Sequence, residues 1–337
     1  MTRPVYLRGF ALASSLGVGR EAHAGVLAGA SPMVDEGRFA PHPIHPLAAI
    51  PFEASIPRRE MRQMENWQRL GVLVAGLALD DAGLRERARE IDLIVAAGGG
   101  ERDPALDAQI LATRPDEAVI HRMLMDGLRP TLFLAQLSNL LAGSISIVHG
   151  IGGSSRTLMG EEIAGAEAIR VTAARIAAGT SSLGLTGSSF LAERPEIILL
   201  QAMGGRLHAG PWAPMAERQG VVLGSGAAFL LLGDEPGAIR LSHIATDQGP
   251  PEGRDARFAA LLEASPALRP GGLTIWAGSV ADGSGVMLGD VLGHAVEAAF
   301  PLALAAAALA IEAGAPQVRV GMRGIWRGEA VATLEAG

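Results

Sequence analysis

The sequence contains no cysteine among its 337 residues. Disulfide bonds and cysteine-ligated metal sites are therefore excluded. A thiol nucleophile is excluded as well, and the thiolate is the side-chain group that attacks thioesters most readily. No covalent step that requires a cysteine thiolate is therefore open to this chain.

The chain also lacks an excess of positive charge. Its formal net charge is −7, and no run of lysine or arginine residues occurs. Binding to nucleic acid or to an anionic membrane surface depends on such basic patches. We therefore expect neither as a partner.

No apolar run in the sequence is long enough to span a bilayer, which takes about 20 residues. The most apolar run, residues 298–311, contains Pro301 and is bracketed by Glu297 and Glu312. It predicts a core helix. The first 17 residues lack an apolar segment followed by a cleavage motif, so they do not predict a signal peptide and we expect a cytoplasmic protein.

The glycine-rich segments do not predict a cofactor site. Gly17 and Gly19 follow a predicted strand, but the third glycine and the downstream acidic residue of a dinucleotide site are not clearly placed. Residues 98–100 are three glycines without the Lys-Ser/Thr pair of a phosphate loop. We predict tight turns at both places, and neither a cofactor nor a metal.

Hydrophobic residues make up 49% of the chain, so it can bury a large core as one elaborated domain or as two fused halves. The clearest pattern lies in residues 154–187. Apolar residues recur there at helical spacing up to Gly179, and a strand is predicted at 183–186. The small residues Ala164, Gly165 and Ala166 predict a helix that neighbouring backbone approaches closely.

Strand and helix patterns alternate along the rest of the chain. The β-α-β order after residue 238 repeats that of the first part, which predicts a duplicated α/β fold. The predicted elements are a strand at 5–14, two helical segments within 56–84, a strand at 92–100, a helix from 130 to 143, a strand at 144–149, a strand segment at 221–232, a strand at 238–246, a helix at 254–268 and a strand at 273–279.

The letters AGAEAI at residues 164–169 resemble the second half of T-A-C-A-A-G-x-x-A-I, the pattern around the nucleophilic cysteine of β-ketoacyl synthases. Counting back places Glu162 at the cysteine position. Residues 58–84 and 221–232 resemble further segments of the family, with Ser225 replacing a usual glutamate. The resemblance implies the thiolase fold, an αβαβα layered sandwich of duplicated βαβ halves, here residues 1–236 and 237–337.

Other active-site positions of the family are also substituted. The first catalytic histidine corresponds to Gly278, and the second is retained as His294, but the lysine five residues before it has become Gly289. A single retained histidine is more often structural than catalytic. In GIWRGEA, Ile325 stands at the gating phenylalanine, and the next two positions, where the family needs glycine, are Trp326 and Arg327.

This combination resembles the chain length factors of type II polyketide, polyene or fatty acid synthases, which look like ketosynthases without the nucleophile. The resemblance implies a heterodimer with an active ketosynthase, whose acyl chain is delivered by acyl carrier protein. Residues 129–153 resemble the family's interface helix and strand, with Asn139 on a matching position. Leu132 and Gln136 match positions that face the partner's acyl tunnel, although ordinary interface packing is at least as good an interpretation for Leu132.

Two other functions remain open at this point. One is a malonyl carrier-protein decarboxylase of the kind in which glutamine replaces the cysteine, although those proteins retain both histidines. The other is a non-catalytic homologue that binds acyl groups without a condensing partner. A neighbouring gene for an intact, cysteine-containing synthase would favour the chain length factor.

Overall fold

A computed structural model of the protein describes residues 2–62, 64–98, 100, 102–128, 132, 137–278 and 284–337. The strands within these ranges are β1 (Tyr6–Ser14), β2 (Gly17–Val18), β3 (Ile44–His45), β4 (Asp92–Ala96), β5 (Ser155–Leu158), β6 (Leu183–Phe190), β7 (Leu223–Gly224), β8 (Gly226–Gly233), β9 (Ile239–Asp247), β10 (Leu273–Trp276), β11 (Val286–Met287), β12 (Gln317–Arg323) and β13 (Glu329–Ala336).

Alongside a few short 3-10 turns, the same ranges form α-helices. They are α1 (Gly19–His23), α2 (Arg58–Met61), α3 (Asn66–Ala82), α4 (Pro104–Thr113), α5 (Glu117–Gly127), α6 (Leu140–His149), α7 (Glu162–Ala177), α8 (Pro195–Met203), α9 (Arg254–Ala264), α10 (Leu288–Leu292) and α11 (Ala299–Glu312).

A mixed sheet runs in the order β11-β10-β12-β13-β9-β1-β8-β6-β4-β5, with β2 paired to β1, while β3 and β7 form a separate pair. The first five strands of this order form one half of the sheet and the last five form the other. The two halves meet where Tyr6 and Leu7 of β1 pair with Arg240 and Ile239 of β9. The five strands on each side of this contact have the same order and the same parallel and antiparallel pairings. The duplicated α/β fold predicted from the sequence is therefore confirmed, whereas the division at residue 236 remains a proposal.

The helices pack on these strands in layers. Helix α3 covers β1, β8 and β6 on one outer side, and α9 covers β13, β9 and β12 on the other. Helices α7 and α11 contact each other and also contact strands from both halves of the sheet. They therefore form the middle layer. The arrangement is the αβαβα sandwich of the thiolase fold.

The middle layer explains why residues 298–311 are so apolar. Helix α11 is buried along nearly its whole length and packs in the main hydrophobic core, so the core helix predicted there is confirmed. Within the described ranges, no helix combines the length and the apolar character that crossing a membrane requires.

Three predicted elements were wrong. Residues 144–149 belong to helix α6, because Leu141, Ala142 and Ile145 are buried on one helical face, and the strand that follows is β5. The helix predicted at 254–268 ends at Ala264, because Ser265 precedes Pro266 and a residue before proline disfavours the helical conformation. Of the helix predicted from 130 to 143, residues 130, 131 and 133–136 lie outside the described residues; the predicted end at Gly143 is wrong, because α6 begins at Leu140 and continues through Gly143 to His149.

The small residues of α7 have the role that the sequence predicted. A Cβ atom on Gly165 would lie 2.1 Å from the carbonyl oxygen of Glu297 and 2.9 Å from the Pro301 ring. The start of α11 therefore touches the backbone of α7 at this point. Only glycine permits that approach.

We expect Gly165→Ala to destabilise the fold by about 1–3 kcal/mol, because the added methyl overlaps the backbone carbonyl oxygen of Glu297 in the 3-10 turn that precedes α11. Gly143→Ala is the matched control, since it adds the same methyl to a helix where nothing lies within 4 Å of the new atom. Denaturant unfolding should show the control as neutral or stabilising. Equal losses of stability in the two variants would contradict the close contact.

Candidate functional site

The site is built at the turn that joins β5 to α7. Gly160 has φ +148°, and Glu161 has φ +58° and ψ −139°. Non-glycine residues rarely adopt such angles, which cost on the order of 1–3 kcal/mol. This turn directs Glu162, the first residue of α7, into the interior, where its side chain is 0% exposed.

The carboxylate of Glu162 is surrounded by hydrogen-bond donors. Its Oε1 atom accepts the backbone N–H groups of Ile325 at 2.9 Å and Trp326 at 3.1 Å, and Oε2 accepts that of Arg327 at 3.1 Å. His294 Nε2 lies 3.2 Å from Oε1, and because a carboxylate only accepts, this nitrogen carries a proton. Three successive peptide groups and one imidazole therefore hold a single carboxylate.

These donors decide the charge of the group. Burial alone raises the pKa of the Glu162 carboxyl, but the hydrogen bond and the charge of His294, together with backbone donors such as Trp326, outweigh burial and hold the pKa below its ordinary value of 4.5. The side chain is therefore an anion at neutral pH.

His294 is fixed by its backbone as well as by Glu162. It exchanges backbone hydrogen bonds with the segment around β7, donating to the Val222 carbonyl and accepting from the Gly224 N–H. Its ring, 3% exposed, meets the Trp326 indole edge to face with centroids 5.1 Å apart. The retained histidine is thus held between a carboxylate and an aromatic ring.

A second buried carboxyl, that of Glu297, lies close to the site. A Cβ atom on Gly98 would be 2.6 Å from its Oε1 atom, so the side chain occupies space that a glycine leaves open. Burial raises the pKa of Glu297 to about 7, and the negative charges of Glu162 and Glu161 add to that effect. Near neutral pH this group carries a proton for a large part of the time.

The structure brings some of the predicted site residues together and separates others. Glu162, His294 and Ile325 are in contact, as described above. Gly278 has no room for the family's histidine, because even a Cβ atom would lie 2.4 Å from the Arg323 carbonyl oxygen. Gly289 faces the flexible end of Met215, whose Cε would be 3.1 Å from an added Cβ atom.

The predicted interface residues are described only in part. Leu132 is 6% exposed, so it is buried within this chain. Asn139 is exposed immediately before α6. Gln136 lies outside the described residues, and its place at a partner's tunnel stays a prediction.

Sequence reasoning missed three residues that support the site: Glu297, Arg254 and Glu329. Glu297 was interpreted only as a charge at the edge of an apolar run, and the neighbouring alanines and valine were the available signal that it is buried. Arg254 donates to the carbonyl oxygens of Ile325 and Trp326, and it lies beside the buried carboxylate of Glu329. No local pattern marks these contacts, because they join segments that are distant in sequence.

No cluster of three or more histidine, aspartate or glutamate side chains in the described part of the chain has the geometry to hold a metal ion. The donor set at Glu162 is instead one of N–H groups. Such a set binds anions.

A family model for the β-ketoacyl synthase N-terminal domain matches residues 49–237, more than half of the sequence. The chain belongs to the β-ketoacyl synthase family. A relative from Streptomyces glaucescens, the ketoacyl synthase beta subunit of the tetracenomycin polyketide synthase, is 27% identical over 274 residues. The match covers 76% of this chain and 64% of the relative, so the chain spans less than two thirds of the relative's length.

Solved structures of family members share the fold. The ishigamide ketosynthase/chain length factor aligns with a TM-score of 0.80 at 19% identity, over 100% of both chains. A type II polyketide acyl carrier protein in complex with its hexaketide-bound ketosynthase gives 0.79 at 17% identity, also over 100% of both chains. A ketosynthase in complex with its chain length factor from Xenorhabdus doucetiae gives 0.76 at 15%, over 99% and 98%. These likenesses confirm the thiolase fold.

We expect Glu162→Gln to destabilise the fold at pH 7 by about 1.5–3 kcal/mol, since an amide nitrogen replaces one accepting oxygen. Because the folded-state pKa is lowered, the ionised side chain stabilises the fold above pH 4.5, and this stabilisation disappears as the pH falls through the lowered pKa. The difference between variant and wild type, measured by urea unfolding, should therefore shrink in acid.

The matched control for this prediction is Glu161→Gln. It removes the same charge from the same turn, but its carboxylate is 37% exposed and lies 3.7 Å from the Arg327 Nε atom. It should change stability by about 0.5 kcal/mol or less. Equal effects of the two substitutions would contradict the special role of Glu162.

Glu297→Gln should act in the opposite direction. Because folding raises the pKa of Glu297 from 4.5 to about 7, wild-type stability should fall as the pH rises through this window, by about 3 kcal/mol at most. The variant lacks this loss and should be the more stable protein at pH 8. Unfolding curves at pH 5 and pH 8 test this, with the exposed Glu263→Gln as control, and a gain that is equal at both pH values would refute it.

Proposed function

We propose that this chain is a ketosynthase-like subunit that forms no bond itself, pairs with an active β-ketoacyl synthase and shapes the acyl tunnel of that partner. The observation that carries the proposal is the carboxylate of Glu162. It stands where the family's cysteine is expected, and four donors already hold its two oxygens.

This arrangement argues against condensation by the chain alone. A carboxylate is a much weaker nucleophile toward a thioester than a thiolate is. The N–H groups that would stabilise an oxyanion are occupied by the protein's own anion, and hydrogen bonding to this anion lowers its reactivity further. A thioester entering the site would have to displace Glu162 before reaching those donors.

The same contacts weigh against the malonyl decarboxylase. That reaction needs neutral or cationic groups around the malonyl carboxylate and the forming enolate. Here an anionic Glu162 engages His294, the retained histidine, and the position of the other histidine is the crowded Gly278. The third candidate is a non-catalytic chain that binds acyl groups without a synthase. It differs from the proposal only in lacking the synthase as a partner.

An unpaired sheet edge supports the proposed pairing. Strand β5 ends the strand order, and its outer backbone groups have no neighbouring strand in the described chain. Exposed apolar side chains lie along this region, with Met159 65% exposed, Ile147 71% and Leu137 37%. Ser138 Oγ lies 3.0 Å from the Met159 sulfur, which places the end of β5 beside the segment that leads into α6.

A groove continues this surface along α7. Its volume is about 760 Å³, and apolar side chains lining it include Leu158, Met159, Ile163, Val171 and Ile244. Polar side chains line the rest of the groove: Glu167, Arg170, Thr246, Asp247 and Gln248. The open sheet edge with its exposed apolar side chains is better satisfied by a protein partner than by water. The predicted interface at residues 129–149 adjoins this surface through α6, although Arg129 and most of residues 130–136 lie outside the described residues.

The named relatives favour a synthase as that partner. One is a ketoacyl synthase beta subunit, and solved neighbours include ketosynthases with a chain length factor and a ketosynthase with an acyl carrier protein. By extension, we propose that the partner of this chain receives its acyl chain from an acyl carrier protein. In the same proposal Gln136 bounds the far end of the partner's tunnel, whereas Leu132, which is buried within this chain, keeps its alternative interpretation as packing.

Co-expression with an intact, cysteine-containing synthase encoded beside this chain should give a one-to-one complex on size-exclusion chromatography. Met159→Asp should weaken the complex at least tenfold, because a charge would enter an apolar contact. Met203→Asp is the matched control, since that methionine is 79% exposed on α8, on a different element. A chain that stays monomeric or homodimeric with every such synthase would refute the proposal.

A further inference from the structure

The three N–H groups that hold Glu162 belong to one short loop, residues 324–328, between β12 and β13. The Gly324 N–H donates to the Gly328 carbonyl at 2.8 Å and closes the loop. Gly328 has φ +76°, and a Cβ atom there would lie 2.6 Å from Cβ of Ile163. The loop is therefore closed at its ends and pressed against the first turn of α7.

Arg254 holds the opposite side of this loop. Its Nη1 atom donates to the Ile325 carbonyl and its Nη2 atom to the Trp326 carbonyl, both at 3.0 Å. Its Nε atom lies 3.3 Å from Glu329, which is 0% exposed and also accepts from Arg257 Nε at 2.8 Å. The guanidinium is thus anchored by a buried carboxylate that two arginines share.

Peptide geometry connects the two sides. In a trans peptide the carbonyl of one residue and the N–H of the next point in opposite directions. When Arg254 fixes the carbonyls of Ile325 and Trp326, it also aims the N–H groups of Trp326 and Arg327 away from itself. Both of those N–H groups point at the Glu162 carboxylate.

We propose that loop 324–328 is a preorganised receptor for a carboxylate, positioned by Arg254, and that Glu162 is its resident ligand. Removing the Glu162 side chain leaves a receptor that takes a small free monocarboxylate such as acetate or formate. The inference goes beyond the proposed pairing and rests on the geometry of the loop alone.

The class of ligand follows from the shape and charge of the site. The donors contact both oxygens of a planar carboxylate, with three N–H groups and His294 converging on them. Glu162 and His294 are 0% and 3% exposed, so the space that a truncated side chain leaves is small and enclosed. A neutral amide of the same size offers one accepting oxygen instead of two. Its NH2 group would also face the N–H donors of the loop.

The test uses the full-length Glu162→Ala variant, titrated with acetate at constant ionic strength and followed by calorimetry and by thermal unfolding. Acetate should bind at least about tenfold more tightly than acetamide, because charge-assisted hydrogen bonds are the stronger ones. Wild type and Glu162→Gln keep the site filled and should show no saturable binding. If the variant folds only when acetate is added, that rescue supports the receptor; an absence of both binding and rescue would overturn it.

The positioning role of Arg254 is tested in the same background. Adding Arg254→Lys keeps the charge, but an ammonium does not hold two carbonyls as a planar guanidinium does, so acetate affinity should fall at least about tenfold. Arg319→Lys is the control, since Arg319 donates to the Pro266 carbonyl away from the loop. Unchanged affinity in both double variants would refute the role of Arg254, as would equal losses in both.

The two proposals fail separately. Acetate binding by Glu162→Ala in a chain that pairs with no synthase would overturn the proposed function and leave the receptor intact. Normal pairing with a synthase, combined with no acetate binding by Glu162→Ala, would overturn the receptor and leave the proposed function intact.

Discussion

The hydrogen bonds between the Glu162 carboxylate and loop 324–328 connect the two sides of the duplicated fold. Glu162 starts a middle-layer helix of the first side, while the loop joins two strands of the second. A buried anion without partners is unstable, and three backbone donors without an acceptor are costly as well. Each segment therefore fixes the other, and the contact joins the two halves of the fold.

The buried acids around this contact have different tasks. Glu162 is held as an anion by N–H groups, and Glu329 by the guanidinium groups of Arg254 and Arg257. For Glu297, burial raises the pKa by more than the charge of Arg194 lowers it, so this group keeps a proton into the neutral range. Placing a third full charge beside Glu162 and Glu161 would cost more than the protonation does. The site is consequently arranged to hold one anion firmly.

Much of the fold could be predicted from sequence, because periodicity and small residues are local signals. The stretch 154–187 indicated helix α7, its following strand and the close contact at Gly165. The segment 144–149 misled because alternating serine and isoleucine fit a short strand as well as a helix, and burial of Leu141, Ala142 and Ile145 decided for the helix.

The site was predictable only by resemblance. Counting from a motif identified Glu162, His294 and Ile325, but no pattern reveals which peptide N–H groups donate to the carboxylate or that Arg254 orients them.

The most direct test of the central claim is intact-protein mass spectrometry of the purified pair after incubation with an acyl-loaded carrier protein. An acyl group transferred to a protein adds a defined mass to the subunit whose nucleophile received it. We expect the acyl mass to appear on the cysteine-containing synthase and this chain to keep its unmodified mass. An acyl adduct on this chain that Glu162→Gln abolishes would show that Glu162 is a nucleophile and would contradict a non-catalytic role.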